Sequence, residues 1–283
     1  MSPVGQTHAV VTLPALDLRP RPAHQAELGS QLLLGEVVRI LAGDRAGQWL
    51  RVRNQTDGYE GWVRDWGLAK CTAARARRWQ ATAHWLVLVP FGQARTEDGA
   101  SLSPLFFGGR LIAGRKRDGR RPVELPDGRR GWVGEEVLRP LASRPPVIMA
   151  RIRSLLGAPY LWGGRTPAGY DCSAFVQQVL FEQGTVVPRD AHEQWLACRP
   201  VPPERSPGIG DLAFFSVRPR GRMSHVGLAL GGGWFAHARG TVRLDSLDVD
   251  NPMYLNDLAG QFRGWHRPLA RRIPAAGDRR REP

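Results

Sequence analysis

The chain has 283 residues, room for two or three domains at roughly 100–200 residues each. Hydrophobic residues make up 42% and charged residues 23%, a globular balance that excludes a disordered chain, and no apolar run approaches the ~18 residues of a membrane-spanning helix. The net charge is +14, but only Lys70 and Lys116 are lysines and the arginines are scattered, so we expect no nucleic-acid partner and a surface that favours anionic ligands.

Along the chain, Met1 to His8 offers no basic start and no apolar core of secretory length, so a cytoplasmic protein without membrane attachment is expected. The first half contains a repeat. Asp57-Gly-Tyr-Glu-Gly-Trp-Val63 returns as Asp127-Gly-Arg-Arg-Gly-Trp-Val133, with Leu68 and Leu138 at the same offset of 70. Asp-Gly before alternating Trp and Val reads as a turn between two strands. Upstream, Leu33 to Leu41 is similar to Phe106 to Ile112. Each copy suits a small β-barrel, which predicts a duplication with one barrel over 1–72 and another over 77–141.

Leu141-Ala-Ser-Arg-Pro-Pro146 reads as a linker. Val147 to Leu156 then predicts a helix whose apolar face is Ile148, Ile152, Leu155 and Leu156. A loop, Gly157 to Tyr170, leads to a second apolar helix ending near Phe181, and strands follow at Asp211–Phe215, His225–Leu230 and Trp234–Ala238. Helices followed by a strand meander give an α+β domain over 147–270, with an Arg-rich tail over 271–283.

Of the three cysteines, Cys71 and Cys198 read as packing residues, and the odd, sparse set forms no disulfide framework. Cys172 differs, because it opens the apolar helix. Free N–H groups and the positive dipole end at a helix start favour a thiolate, which predicts a pKa below the usual ~8.5. The same N–H groups can hold an oxyanion. A thiol nucleophile needs a base, and the base needs an orienting group. His225 opens one strand and His237 lies near the end of the next, 12 residues apart around Gly231-Gly-Gly233. A loop with an odd number of residues puts both rings on one face of the sheet, and a two-residue loop puts them on opposite faces. Cys172 with both histidines could alternatively ligate zinc, but no short metal-ligand pair is present, so no metal and no organic cofactor are expected.

Six ordered blocks carry a family resemblance: Pro159-Tyr-Leu-Trp-Gly-Gly164, Asp171-Cys-Ser-Ala-Phe175, Pro188-Arg-Asp190, Gly210-Asp-Leu-Ala-Phe-Phe215, Ser224-His-Val-Gly227 and Phe235-Ala-His237. From Val147 to Arg267 the chain resembles the NlpC-type cell-wall peptidases, with Ala174 where that family usually has Gly. The resemblance implies a papain-like fold that hydrolyses amide bonds of peptidoglycan stem peptides. Cys172 is then the nucleophile, His225 the base and His237 the orienting residue, with Tyr160 beside the thiol. The first half resembles bacterial SH3-like domains, and this order of domains is similar to that of cytosolic muropeptide-recycling enzymes. In those, the first SH3-like domain supplies an acid and a tyrosine that recognise the free amine of an N-terminal L-alanine. Glu27 and Tyr59 stand at those positions, with Asp171 and Ser173 completing the amine site. Arg129 replaces the tyrosine in the second copy, which leaves that copy a scaffold.

The expected protein is therefore multidomain: two SH3-like β-barrels followed by an α+β papain-like catalytic domain. It is expected to cleave the γ-D-glutamyl–diamino acid bond of a murein stem peptide, with no obligate protein partner. Two alternatives use the same residues otherwise, as a catalytically inert peptide-binding module or as a thiol acyltransferase or lipid hydrolase.

Overall fold

A computed structural model describes residues 5–141, 143, 147–269 and 271–272. The chain divides into two compact units at Arg144–Pro145. Most of the expected linker, and the tail beyond Arg272, lie outside the described residues. Among the described residues, no helix is long and apolar enough to cross a membrane.

The first unit is built from short strands. β1 (His8–Val11), β2 (Ala15–Leu18), β3 (Ser30–Leu33), β4 (Val37–Gly43), β5 (Trp49–Asn54), β6 (Glu60–Arg64) and β7 (Leu68–Cys71) form a five-stranded sheet in the order β6-β5-β4-β1-β7 and a β2-β3 pair. Their alternating residues converge on a core that includes Leu16, Leu18, Leu32, Val38, Val52 and Val63. Helix α1 (Ala73–Thr82) follows, capped by Thr72, whose hydroxyl accepts from the Arg75 N–H. This helix was not expected from the sequence. It seats Ala76 and Trp79 against Val10, Val37 and Cys71, and the Trp79 indole donates to the Gly35 carbonyl at 2.9 Å.

Seven further strands complete the unit: β8 (Trp85–Val87), β9 (Phe91–Arg95), β10 (Ser101–Phe106), β11 (Arg110–Ala113), β12 (Arg120–Glu124), β13 (Arg130–Gly134) and β14 (Leu138–Pro140). They lie in one sheet ordered β10-β9-β13-β12-β11-β8-β14. Both copies of the repeated motif form a hairpin turn. Asp57 and Asp127 each accept from the backbone N–H two residues on, at 3.0 and 3.1 Å, and Gly58 and Gly128 take the left-handed backbone such turns require. A strand, a single 3-10 turn and a further strand follow in both copies.

The second unit starts with α2 (Ile148–Leu155). Its buried face is Arg151, Ile152 and Leu155, whereas Leu156, expected in the core, is exposed. Arg151 faces inward because it forms a buried two-point pair with Glu182, both bonds 2.7 Å. A small hairpin, β15 (Arg165–Thr166) and β16 (Gly169–Tyr170), leads directly into α3 (Cys172–Glu182), every residue of which is buried. β17 (Thr185–Val186) and α4 (Ala191–Leu196) precede a six-stranded antiparallel sheet. Its strands are β18 (Cys198–Pro200), β19 (Leu212–Phe215), β20 (His225–Gly231), β21 (Trp234–Arg239), β22 (Thr241–Ser246) and β23 (Phe262–Pro268), in the order β18-β23-β19-β20-β21-β22. α5 (Asn256–Ala259) lies in the connection before β23. The continuous apolar run of β19 is buried at every residue, as a strand covered on both faces must be. α3 packs across β20 and β21. β24 (Arg271–Arg272) pairs with β17, so the first two residues of the segment read as a tail belong to a strand.

Candidate active site

Asp171 fixes where α3 begins. Its Oδ1 accepts from the Ala174 N–H at 2.8 Å, an N-cap that ends the preceding loop and makes Cys172 the first helical residue. Cys172 is 6% exposed. The backbone N–H groups of Ser173 and Val226 hydrogen-bond its sulfur, which places the thiol at the start of β20 beside His225.

The two histidines reach one face by a route the loop length alone did not predict. The loop between β20 and β21 has two residues, Gly232 and Gly233, which in a regular hairpin would separate the rings. A register shift between Ala229 and Gly231 inserts one residue and restores the parity. His237 then lies opposite Gly227, and His225 is diagonal to it on the same face. His225 Nε2 and His237 Nδ1 are 2.7 Å apart. Gly227 keeps this diagonal open: a Cβ there would lie 2.7 Å from the Phe235 ring and 3.3 Å from the His237 Cβ.

The step repeats on the next strand. His237 pairs with Arg243 of β22, and Asp245 is the diagonal neighbour, with Oδ2 2.7 Å from His237 Nε2. Arg243 donates to the other carboxylate oxygen at 2.7 Å. The sequence reading missed Asp245 because it stopped at Ala238. The alternation of Val242 and Leu244 after Gly240 was the available signal for one more strand.

Phe215 and Phe235 wall the imidazoles, with ring centroids 5.6 Å from His225 and 4.7 Å from His237. Burial, with smaller contributions from His237 and Arg239, pushes His225 down to about 3. His237 is also lowered, by burial against the opposing pull of Asp245. The Asp245 carboxyl sits below its ordinary value: burial raises it, but the hydrogen bonds from His237 and Arg243 outweigh that.

The expectation of a depressed thiol pKa is corrected. Burial, reinforced by the Asp171 charge, pushes Cys172 up to about 12, and the amides of Val226 and Ser173 only partly oppose it. The helix start supplies donors, but desolvation of the sulfur outweighs them. Burial thus favours the uncharged form of both the thiol and the imidazole. Tyr160 is half-buried nearby, and burial together with the adjacent Cys172 and Asp171 pushes its phenol up to about 12.

On the helix side, Arg189, buried and absent from the expected site, grips Asp171 with two bonds of 3.0 and 2.6 Å. It also donates to the Ser173 hydroxyl at 3.0 Å, which in turn donates to Asp171 at 3.1 Å. The Gly163 N–H adds a further bond to Asp171 at 3.0 Å. Five donors thus converge on a carboxylate with about four lone-pair sites, so an amine contact at Asp171 requires one of them to leave.

In the first unit, Glu27 is exposed, and Tyr59 packs on the β-core with its hydroxyl against Gly29. Cys71 is buried in the core under α1, whereas Cys198 in β18 is partly exposed, and burial raises both thiols. Among the described residues, no group of three or more His, Cys, Asp or Glu is placed to hold a metal ion.

Residues 157–263 match the NlpC/P60 family, and residues 18–68 match the bacterial dipeptidyl-peptidase Sh3 domain. The chain carries an NlpC/P60 domain. It is homologous to gamma-D-glutamyl-L-lysine dipeptidyl-peptidases, at 29% identity to that of Bacillus subtilis (strain 168) over 81% of this chain and 78% of the relative. The namesake from Bacillus cereus (strain ATCC 10987 / NRS 248) is 26% identical over 84% of this chain and 75% of its own. The crystal structure of an NlpC/P60 family protein from Bacillus cereus ATCC 10987 superposes with a TM-score of 0.78 at 22% identity, covering 93% of this chain and 99% of that one, which shows a shared fold. The chain therefore carries a bacterial SH3 domain followed by an NlpC/P60 domain.

Proposed function

We propose that this protein cleaves the γ-D-glutamyl–diamino acid bond of peptidoglycan stem peptides that carry a free N-terminal L-alanine. The observation that carries the catalytic reading is the 2.7 Å contact between the imidazoles of His237 and His225, the latter on a strand whose Val226 N–H reaches the sulfur of Cys172, a buried thiol at a helix start. Homology to gamma-D-glutamyl-L-lysine dipeptidyl-peptidases over most of both chains supports the substrate class.

In this reading Cys172 Sγ attacks the γ-carbonyl carbon as its proton passes to His225 Nδ1. The oxygen takes up negative charge near the backbone N–H of Cys172, at the positive end of α3. Because burial favours the protonated thiol, proton transfer accompanies attack. The tetrahedral species collapses to a thioester, the C–N bond breaks and the leaving amine takes the proton from His225. Water, deprotonated by the same imidazole, attacks the thioester and releases L-alanyl-γ-D-glutamate and the thiol. His237 holds the His225 ring, and Tyr160 borders the thiol.

The domains in this reading are an SH3-like barrel over 1–72, a second over 77–141 and the papain-like catalytic domain over 147–270. Glu27 and Tyr59 accept from the substrate ammonium, and a capped substrate is rejected because it leaves them without their donor. Asp171 and Ser173, tied to Arg189, flank the nucleophile. The setting is cytoplasmic recycling of muropeptides.

Mass spectrometry of products from free and N-acetylated L-Ala-γ-D-Glu-diamino acid peptides tests this. Cys172→Ala abolishes cleavage, and acetylation or Glu27→Ala lowers kcat/KM by about a hundredfold or more. A Cys172→Ala variant that turns over normally overturns the catalytic reading, and indifference to acetylation overturns the amine site.

A further inference from the structure

The two contacts that step diagonally across β20, β21 and β22 constrain one another. A neutral imidazole carries one N–H and one lone pair, so two imidazoles in series have only two self-consistent proton arrangements. In the first, His237 donates from Nε2 and accepts at Nδ1 from His225 Nε2–H, which leaves His225 Nδ1 bare. In the second, every bond reverses and His225 carries its proton on Nδ1, where it cannot accept another from the thiol. The end of the chain decides between them, and that end is Asp245. Its side chain is 2% exposed, its Oδ2 is 2.7 Å from His237 Nε2, and an ionised carboxylate can only accept. Arg243, a donor only, occupies the other oxygen at 2.7 Å.

We propose that Asp245 is a positioning residue that sets the proton direction of the whole chain, so that His225 presents an unprotonated Nδ1 to Cys172. This rests on the proposed roles of Cys172 and His225 and adds to them a fourth member on a separate strand. Asp245 never touches substrate or sulfur. It acts through two rings, much as the acid of a serine-protease triad acts through one. Arg243 makes the arrangement directional: with the guanidinium facing one side, a carboxamide at 245 turns its oxygen to Arg243 and its NH2 to His237.

The experiment is Asp245→Asn, with kcat and KM measured separately on the free L-Ala-γ-D-Glu-diamino acid peptide. The inserted amide donates to His237 Nε2 and reverses the chain, so kcat falls on the order of a thousandfold while KM changes less than about threefold. Adding Arg243→Ala frees the amide to rotate and present its oxygen, which recovers at least about tenfold in kcat over Asp245→Asn alone. A residue that only supports the fold shows neither the kcat-against-KM split nor the recovery. A kcat within about threefold of wild type in Asp245→Asn overturns the proposal, as does a double variant no better than the single. Two-bond proton–nitrogen correlation spectra of the histidine-labelled wild-type protein, without substrate, read the chain directly. Both rings carry Nε2–H if the proposal holds, and an Nδ1–H on His225 overturns it. A wild-type protein inert on the peptide overturns the functional reading, and the spectra still decide the proton direction.

Discussion

At the start of α3, Asp171 and Arg189 face each other as a buried ion pair, whereas on the sheet side the polar groups are two imidazoles, the half-buried His225 and the buried His237. Both regions are desolvated, yet one keeps its charges and the other gives them up. The Asp171 carboxylate keeps its charge because Arg189, Ser173, Ala174 and Gly163 all donate to it, which replaces the water it lost. The imidazoles have phenylalanine rings on their flanks, and one hydrogen bond joins them to each other and one joins His237 to Asp245. Fixed charge serves to hold a loop and a helix end in place. A proton relay needs groups that remain neutral until the proton arrives.

That contrast breaks most visibly at Arg189. Arg189→Met removes the partner of a carboxylate that is almost fully buried, and an uncompensated buried charge costs about 3–5 kcal/mol. Urea denaturation of the wild type and the variant measures this. A loss under about 1 kcal/mol means that the helix side is not held by fixed charge, and the comparison fails there.

The strand side is held by shape, so a small steric change reads it. In Gly227→Ala the new Cβ meets the Phe235 ring and the His237 Cβ, and overpacking of this kind costs about 1–3 kcal/mol. The strained diagonal opens the contact between the two imidazoles, so kcat falls at least about tenfold with KM nearly unchanged. Unaltered kcat beside a measurable loss of stability shows that the diagonal tolerates movement, and the distance between the rings then matters less than their order.

Much of the second unit is legible in its residues. The helix opened by Cys172 and the strands at β19, β20 and β21 follow from apolar periodicity and flanking turn residues. The same-face placement of the histidines was legible only as a condition on loop length. It is met by a bulge, and a bulge depends on pairing that no local pattern encodes. Arg151 and Arg189 escape the periodicity argument because arginine reads as surface until its buried partner, Glu182 or Asp171, is brought in from a distant segment. The thiol misled for a related reason: a helix start is visible in sequence, but the loss of solvent around the sulfur is a property of packing. Asp245 lay one strand beyond the last recognisable motif.

Proton binding gives the smallest and most specific measure of the neutral side. His225 is held near 3, far below its ordinary 6.5, and His237 is lowered in the same direction. Below pH about 6.5 the unfolded chain takes up protons at these rings that the folded chain refuses. The stability tied to His225 therefore has its full value above that pH and declines as pH falls toward 3, by about 1 kcal/mol per pH unit, and His237 acts in the same direction. His225→Phe removes one of them and keeps an aromatic beside Phe215. Urea midpoints at pH 6.5, 5.5 and 4.5 are expected to fall more steeply for the wild type than for the variant, because only the wild type has that proton to refuse. Parallel curves mean that His225 is protonated as readily in the folded chain as in the unfolded one. The imidazoles then carry charge like the Asp171–Arg189 pair, and the distinction between the two sides of Cys172 disappears.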